Sequence, residues 1–422
     1  MLVQFSVSNF MSLKEEAVLS MAADGTDREH PEGLLHPGKE TLLPVAAVYG
    51  ANAAGKSNLF RAMAAAIRMI RRSESRQVGE LLMDVVPFLF DEQTKRKPTR
   101  FEFIFYAAGT KYQYGFSATQ RRIVDEYLYE YKTARPSKIF ERTQTTSYAF
   151  TRANEREFRA YVGKNTENKL LLSTATAWNC QKTKDAYLWF SEGMDVYDVK
   201  QIREIGLEQI RNGDAGMETF LLRTLMRADF NIDGYHFDAR DIPEEDLQRM
   251  PPSLTNLLKG ADMAPKGKRY EIATQHTVRD ADGNPHAYAL PFGAESNGTQ
   301  RMFFFAALMK RVLEHGKTMV VDEIDIGLHP VLVKFLLSMF LDRTLNMHGA
   351  QLIFTTHDVS LLSLKLFRRD QIYFVEKEAR TGASTVYSLD EFSPRKTENI
   401  RKGYLQGRYG AIPVICQEDL AW

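Results

Sequence analysis

The chain opens on an alternation of apolar and polar residues over 2–10, Leu2-Val3-Gln4-Phe5-Ser6-Val7-Ser8-Asn9-Phe10. That is the two-residue period of a half-buried strand, and 14–21 continues as a second one. Residues 22–40 carry Asp24-Gly25, His30-Pro31 and His36-Pro37-Gly38 and read as a loop. Leu42-Leu43-Pro44-Val45-Ala46-Ala47-Val48-Tyr49 is an apolar run that predicts a buried strand, and 58–67 is rich in helix formers. The charged stretch 71–80 reads as solvated and 91–100 as a polar connection. Aromatic runs at 101–106 and 111–116 flank Ala108-Gly109 and predict a hairpin, which 126–131 and 148–151 extend. From about 152 to 265 the pattern becomes helical, as at 155–161, 185–190 and 217–226, with breaks at Gly213-Asp214, Asp241-Ile242-Pro243 and Pro251-Pro252. No internal repeat and no long heptad run is present, which argues against a coiled-coil arm. Strand character returns at 269–279 and 286–290 across the turn-rich 280–285, and a helix follows at 301–314. Strands at 318–323 and 351–356 come after it.

Composition narrows this picture. At 422 residues the chain has room for two or three domains, or one elaborated one. Lys plus Arg is 55 against 54 for Asp plus Glu, so the net charge points to neither nucleic acid nor membrane. Two cysteines, Cys180 and Cys416, exclude a disulfide framework or a thiolate metal site. No export signal is evident and no apolar run reaches the roughly 18 residues of a membrane span, so a soluble cytoplasmic protein is expected.

The candidate chemistry starts between the apolar run and the helix, at Gly50-Ala51-Asn52-Ala53-Ala54-Gly55-Lys56-Ser57. A G-x-x-x-x-G-K-S turn between a strand and a helix wraps backbone N–H groups round a phosphate, and the helix N-terminus adds its partial positive charge. Lys56 is then expected to reach the β- and γ-phosphates, Ser57 to hold Mg²⁺ and Asn58 to lie near the α-phosphate. Glu295-Ser296-Asn297-Gly298-Thr299-Gln300 stands before the 301–314 helix and reads either as a second anion site or as an ordinary cap. The strand after that helix ends in two acids, which favours the first reading. Asp322 suits a holder of Mg²⁺ and Glu323 a base for the attacking water. His357, at the tip of the next strand, is where a γ-phosphate sensor would sit, or a capping residue.

This order, with a serine-glycine signature just ahead of the acidic strand, resembles ABC-type ATPases, the superclass that includes the structural-maintenance-of-chromosomes (SMC) proteins and the overcoming-lysogenization-defect (OLD) nucleases. Phe5-Ser6-Val7-Ser8-Asn9-Phe10-Met11-Ser12, the phosphate loop, Asp322-Glu323-Ile324-Asp325-Ile326-Gly327-Leu328-His329-Pro330 and the tail Gly403-Tyr404-Leu405-Gln406-Gly407-Arg408-Tyr409-Gly410-Ala411-Ile412-Pro413 look like the compact prokaryotic AAA-family ATP-binding proteins of that branch. Such proteins often occur in phage-defence operons beside a separate nuclease or toxin. The likeness is weak between about 150 and 265. The signature, Ser296-Asn297-Gly298-Thr299-Gln300, lacks the paired glycines of transporters, which favours the SMC- and OLD-like branch.

The resemblance implies an α/β, ABC-type P-loop ATPase with a mixed sheet, an antiparallel β subdomain and an inserted, mainly helical subdomain. The expected division is 1–150, 151–265 and 266–422. ATP and Mg²⁺ are the implied ligands, bound by Gly50, Asn52, Ala53, Ala54, Gly55, Lys56, Ser57 and Asn58, with the metal on Ser57 and Asp322. Two copies would face each other head to tail, Ser296 and Gly298 of one closing on the γ-phosphate held by the other, with Asp325 carrying contacts across the interface. Glu323 and His357 are the catalytic candidates. Gln93 is a weak candidate for the glutamine lid, its alternative being a surface residue. The favoured role is an ATPase that senses or scaffolds and hands its output to an effector, because the chain after His357 is too short for an OLD-type nuclease domain. The alternatives are an SMC-like DNA-repair or DNA-organising ATPase, using basic stretches at 95–100, 266–269, 368–369 and 395–402, and a transporter's nucleotide-binding subunit.

Overall fold

In the computed structural model of the protein, which describes residues 1–241 and 268–413, the N-terminal alternation becomes β1 (Leu2–Ser8), paired antiparallel with β2 (Ala17–Ser20). The apolar run forms β3 (Val45–Tyr49), buried at every residue, and leads through the phosphate loop into helix α1 (Lys56–Arg71). Ala, Leu and Met hold α1 in helix, its apolar face is buried, and Arg68 and Arg71 in the last turn complement its dipole.

The aromatic runs fold into the expected hairpin of β4 (Thr99–Ala107) and β5 (Thr110–Ala118). Ala108 and Gly109 take φ of 46° and 76°, the left-handed pair that a two-residue hairpin turn requires. Phe101, Phe103 and Phe105 alternate inward, and Phe105 stacks on Trp189 at 4.2 Å. With β6 (Ile123–Tyr131), β7 (Ser137–Thr143) and β8 (Ser147–Phe150) they complete a seven-stranded antiparallel sheet in the order β2-β1-β4-β5-β6-β7-β8. Its core holds an unexpected acid. Glu126 is fully buried, accepts from the N–H groups of Leu171 and Leu172 at 2.7 and 2.9 Å and from the Tyr114 hydroxyl at 3.0 Å, and so caps the helix Leu171–Ala177.

The stretch 71–80, expected to face solvent, is in part a docking strip. Arg71 donates to the carbonyls of Phe190 (2.8 Å) and Met194 (2.6 Å), the Ser73 hydroxyl accepts from Leu170 N–H at 2.7 Å, and Arg76 is buried. Polar side chains are retained here because they satisfy backbone groups that the neighbouring helices leave unpaired. The helices Arg152–Val162, Leu171–Ala177 and Gln181–Leu188 then lead through a π-helical turn, Trp189–Gly193, into β9 (Met194–Tyr197).

Residues further on form the helices Val199–Arg211 and Ala215–Arg227 and a three-stranded antiparallel sheet of β10 (Gly234–Asp241), β11 (Lys268–Arg279) and β12 (Pro285–Pro291). The helix Asn297–His315 then reaches β13 (Thr318–Val321). After the helix Pro330–Leu341, β14 (Gln351–Thr355), β15 (Ile372–Lys377) and β16 (Ser384–Ser388) complete a six-stranded sheet, β16-β15-β3-β14-β13-β9, parallel except for β16. The expected α/β class with a mixed sheet, an antiparallel β subdomain and an added helical region is the one found. The chain divides into two compact units, Met1–Tyr197 with Leu313–Asp325 and Leu336–Trp422, and Asp198–Val312 with Ile326–Phe335. The expected boundaries at 150 and 265 do not coincide with that division, because the helices after β8 and strand β9 belong to the first unit. Part of the expected 151–265 insert, 242–265, lies outside the described residues, as do Lys266 and Cys416.

Candidate functional site

The carboxyl ends of β3, β14 and β13, neighbours in the parallel sheet, bring the first unit's candidate residues together. Ligands of open α/β sheets bind at that edge. Gly50 follows β3, and the loop closes on Gly55, which caps α1 at φ 110°. A Cβ at Gly55 would run into the hydroxyls of Ser384 and Ser12, so only glycine fits. The first-turn N–H groups that follow, on Lys56 and Ser57, cannot be satisfied within the helix and are free to donate to an anion. Lys56 is 6% exposed and its ammonium donates to the carbonyls of Gly50 (2.8 Å) and Ala51 (3.1 Å). Burial pulls its pKa below the ordinary value, against the opposing charges of Asp322, Glu323 and Asp325.

The acids are organised by a residue that carried no role in the sequence reading. The Thr355 hydroxyl, fully buried at the end of β14, donates to Asp322 Oδ1 at 2.7 Å and accepts from the Glu323 N–H at 2.7 Å, while its carbonyl accepts from Ile324 N–H at 3.1 Å. Glu323 takes φ 55°, a left-handed conformation that costs a non-glycine residue about 1–2 kcal/mol. His357 lies just past β14, with Nε2 4.0 Å from Glu323 Oε1 and its N–H 3.4 Å from Asp325 Oδ2. The other Asp325 oxygen is buried without a partner among the described residues.

Ser12 and Ser384 are the other residues the sequence reading missed. Asn58 Nδ2 donates to Ser12 Oγ at 2.7 Å, and the Ser384 hydroxyl lies 2.8 Å from Ser12 Oγ and 2.6 Å from the carbonyl of Ala54. They brace the loop from the side of β16. On that side, away from the acids, an open groove of ≈ 1240 Å³ runs between Ala51–Ala54, the aromatic pair Phe88 and Phe90, and the β15–β16 turn. Gln93 stands exposed in the turn before β4.

The signature residues belong to the second unit. Ser296 is exposed and caps the helix Asn297–His315. Its Oγ accepts from Thr299 N–H at 3.1 Å and lies 2.8 Å from Thr299 Oγ1. Gly298 is half-buried, and a Cβ there would meet the Gly327 carbonyl at 3.3 Å. The cap reading of Ser296 is therefore realised, and its exposure leaves the hydroxyl accessible. Of the basic stretches, Lys95, Arg96 and Lys97 are exposed, as are Arg395, Lys396, Arg401 and Lys402. Arg368 is not a surface charge. It is 1% exposed and is spent on Asp370 and on the carbonyls of Asp24, Asp27 and Glu29, since a buried guanidinium must find partners for its fork of donors.

The donor set fits a magnesium triphosphate. It offers unpaired N–H groups, an ammonium, and hard oxygens on Ser57 and Asp322. No group of three or more His, Cys, Asp or Glu that could hold a metal ion occurs among the described residues. No helix among them is long and apolar enough to cross a membrane.

Among curated proteins none matches the chain. Solved structures similar to it include the SMC head domain from Thermotoga maritima (13% identity, 92% of this chain and 98% of that one, TM-score 0.42). Another is an Smc head domain with an extended coiled coil, bound to the C-terminal domain of ScpA and derived from Pyrococcus furiosus (13% identity, 93% and 97%, TM-score 0.38). The family described as "AAA domain, putative AbiEii toxin, Type IV TA system" matches residues 45–173 and 205–363, more than half of the chain and a span that takes in the phosphate loop, the signature, both acids and His357. The chain belongs to this family of AAA domains.

Proposed function

We propose that the protein is a magnesium-dependent ATPase of the ABC type, that it works as a head-to-tail pair of copies, and that its nucleotide state controls a separate effector, a nuclease or toxin, in defence against phage. One observation above all supports the catalytic part. A single buried hydroxyl, Thr355, fixes Asp322 and Glu323 beside the strand that carries the phosphate loop.

Lys56 leaves the carbonyls of Gly50 and Ala51 and, with the loop N–H groups, grips the β- and γ-phosphates. Ser57 and Asp322 would hold a magnesium ion, which would supply neutralisation of the phosphate charge. Glu323 orients a water and takes its proton as the water oxygen bonds to the γ-phosphorus and the bond to the β-phosphate oxygen breaks. His357 donates to a γ-phosphate oxygen. Ser296 and Gly298 of a second copy close the site, so loss of the γ-phosphate removes what bridges the copies. The family description, which names a toxin and a type IV TA system, supports the defence role.

The test is phosphate release by the purified chain with and without Mg²⁺, beside sedimentation with and without ATP. Hydrolysis that needs Mg²⁺ and falls to background in Glu323→Gln is expected, with ATP-dependent association of that variant. Equal turnover in wild type and Glu323→Gln would sink the catalytic assignment. A neighbouring gene product that binds equally with and without ATP would sink the coupling. The exposed basic residues Arg395, Lys396, Arg401 and Lys402 favour a second reading, a DNA-organising ATPase, which an ATP-dependent, salt-sensitive gel shift would support.

A further inference from the structure

Glu295 directly precedes the signature serine, yet it does not point into solvent. Its side chain is 9% exposed, and its carboxylate meets two side chains of β11. Oε1 accepts from the Thr274 hydroxyl and lies 2.8 Å from His276 Nε2. Thr274 and His276 are two residues apart on a strand, so they share a face. β11 is the central strand of its sheet, paired with β10 and β12, and Thr274 is fully buried. The Glu295 carbonyl accepts from Gln300 Nε2 at 2.9 Å, and the Ser296 carbonyl from Gln300 N–H at 3.0 Å. The residue ahead of the signature is thus tied at both ends, by its backbone to the helix and by its side chain to the sheet.

We propose that Glu295 is a positioning residue, clamped by Thr274 and His276, which sets the helical turn presenting Ser296 and Gly298 and makes the pose of the β10–β12 sheet a control on the signature. This deepens the composite-site reading and rests on it. A buried carboxylate has two strong acceptors and few substitutes for charge-assisted donors, so the clamp has one preferred geometry. The serine's own bonds to Thr299 hold the cap closed but do not aim it, since both groups lie in the same turn. Aim comes from the contact outside the helix. β12, by contrast, is exposed at six of its seven residues, so whatever loads that sheet acts on the signature through β11 and Glu295.

The experiment uses the full chain with Glu295→Ala and Glu295→Gln, each also in the Glu323→Gln background. Nucleotide affinity, kcat, ATP-driven association and hydrogen exchange at 296–300 are measured. Glu295→Ala is expected to leave nucleotide affinity within about twofold, to lower kcat about tenfold, and to raise the concentration needed for association about tenfold. Glu295→Gln keeps a carbonyl acceptor for Thr274 and His276 and is expected to recover kcat to within about threefold. Should Glu295→Ala not fold, Thr274→Val, which removes one donor and keeps the shape, is expected to show the same split between affinity and kcat. Turnover of Glu295→Ala within twofold of wild type, or Glu295→Gln no better than Glu295→Ala, overturns the proposal. If wild type itself neither hydrolyses ATP nor associates with it, the composite-site reading has failed separately. Exchange at 296–300 then decides the clamp alone, with faster exchange in Glu295→Ala restored by Glu295→Gln supporting it and unchanged exchange overturning it.

Discussion

The phosphate-loop half and the signature half of the proposed site are built differently. Lys56 opens the helix that the loop after β3 leads into, Asp322 and Glu323 follow β13, and both strands are buried at every residue, with the equally buried β14 supplying Thr355 between them. Ser296 and Gly298 stand at a helix end that Glu295 ties to a three-stranded sheet with an exposed edge. The first half also stores strain, with Ala53 at φ 61° and Glu323 at φ 55°, whereas no residue from 292 to 300 has a positive φ. In the proposed site, grip and chemistry would thus rest on strained backbone that follows fully buried strands, while the half that would meet a second copy rests on ordinary helical backbone.

The contrast is broken most directly at Lys56. Lys56→Ala is expected to weaken nucleotide binding by about 10²- to 10³-fold, read by titration with a fluorescent ATP analogue, while association without nucleotide stays unchanged. Retention of affinity within about fivefold would mean that the loop half is not the grip. Glu323→Gln comes next, with kcat down about 10²-fold or more and affinity within a few-fold, because it removes a base while keeping shape and hydrogen bonding. Thr355→Val is expected to lower kcat about tenfold and stability by about 1–3 kcal/mol in chemical denaturation, since it strips Asp322 of a donor and orphans the Glu323 N–H. A stable Thr355→Val with full turnover would remove the central support of the first half.

What could be read from sequence follows the range of the interactions. The loop, the acidic strand and the β4–β5 hairpin declare themselves within a few residues, because backbone cradles, strand ends and left-handed turns are local chemistry. Thr355 acts on Asp322 from 33 residues away and Ser384 on Ser12 from 372, and no periodicity reports such pairs. The solvated reading of 71–80 failed in part for the same reason, as Arg71 and Ser73 serve carbonyls and an N–H group about a hundred residues on. β9, four residues at the sheet edge, is too short to show a period. The run Ile372-Tyr373-Phe374-Val375 in β15 did carry a buried-strand signal that went unused.

The smallest expected effect tests where strain is kept. Glu323→Gly and Glu323→Ala both abolish the base, so their difference in stability isolates the backbone. Relief of the left-handed conformation favours glycine by about 1–2 kcal/mol, and the greater freedom of unfolded glycine returns about 0.5–1. Glycine should therefore be the more stable variant by about 0.5–1 kcal/mol in denaturant titrations without nucleotide. At Asn297, the first residue of the signature helix, the same pair of substitutions should run the other way, alanine above glycine, because ordinary helical backbone gives glycine nothing to relieve. Alanine ahead at both positions would place no strain at Glu323, and of the two left-handed residues only Ala53 would then remain strained in the first half.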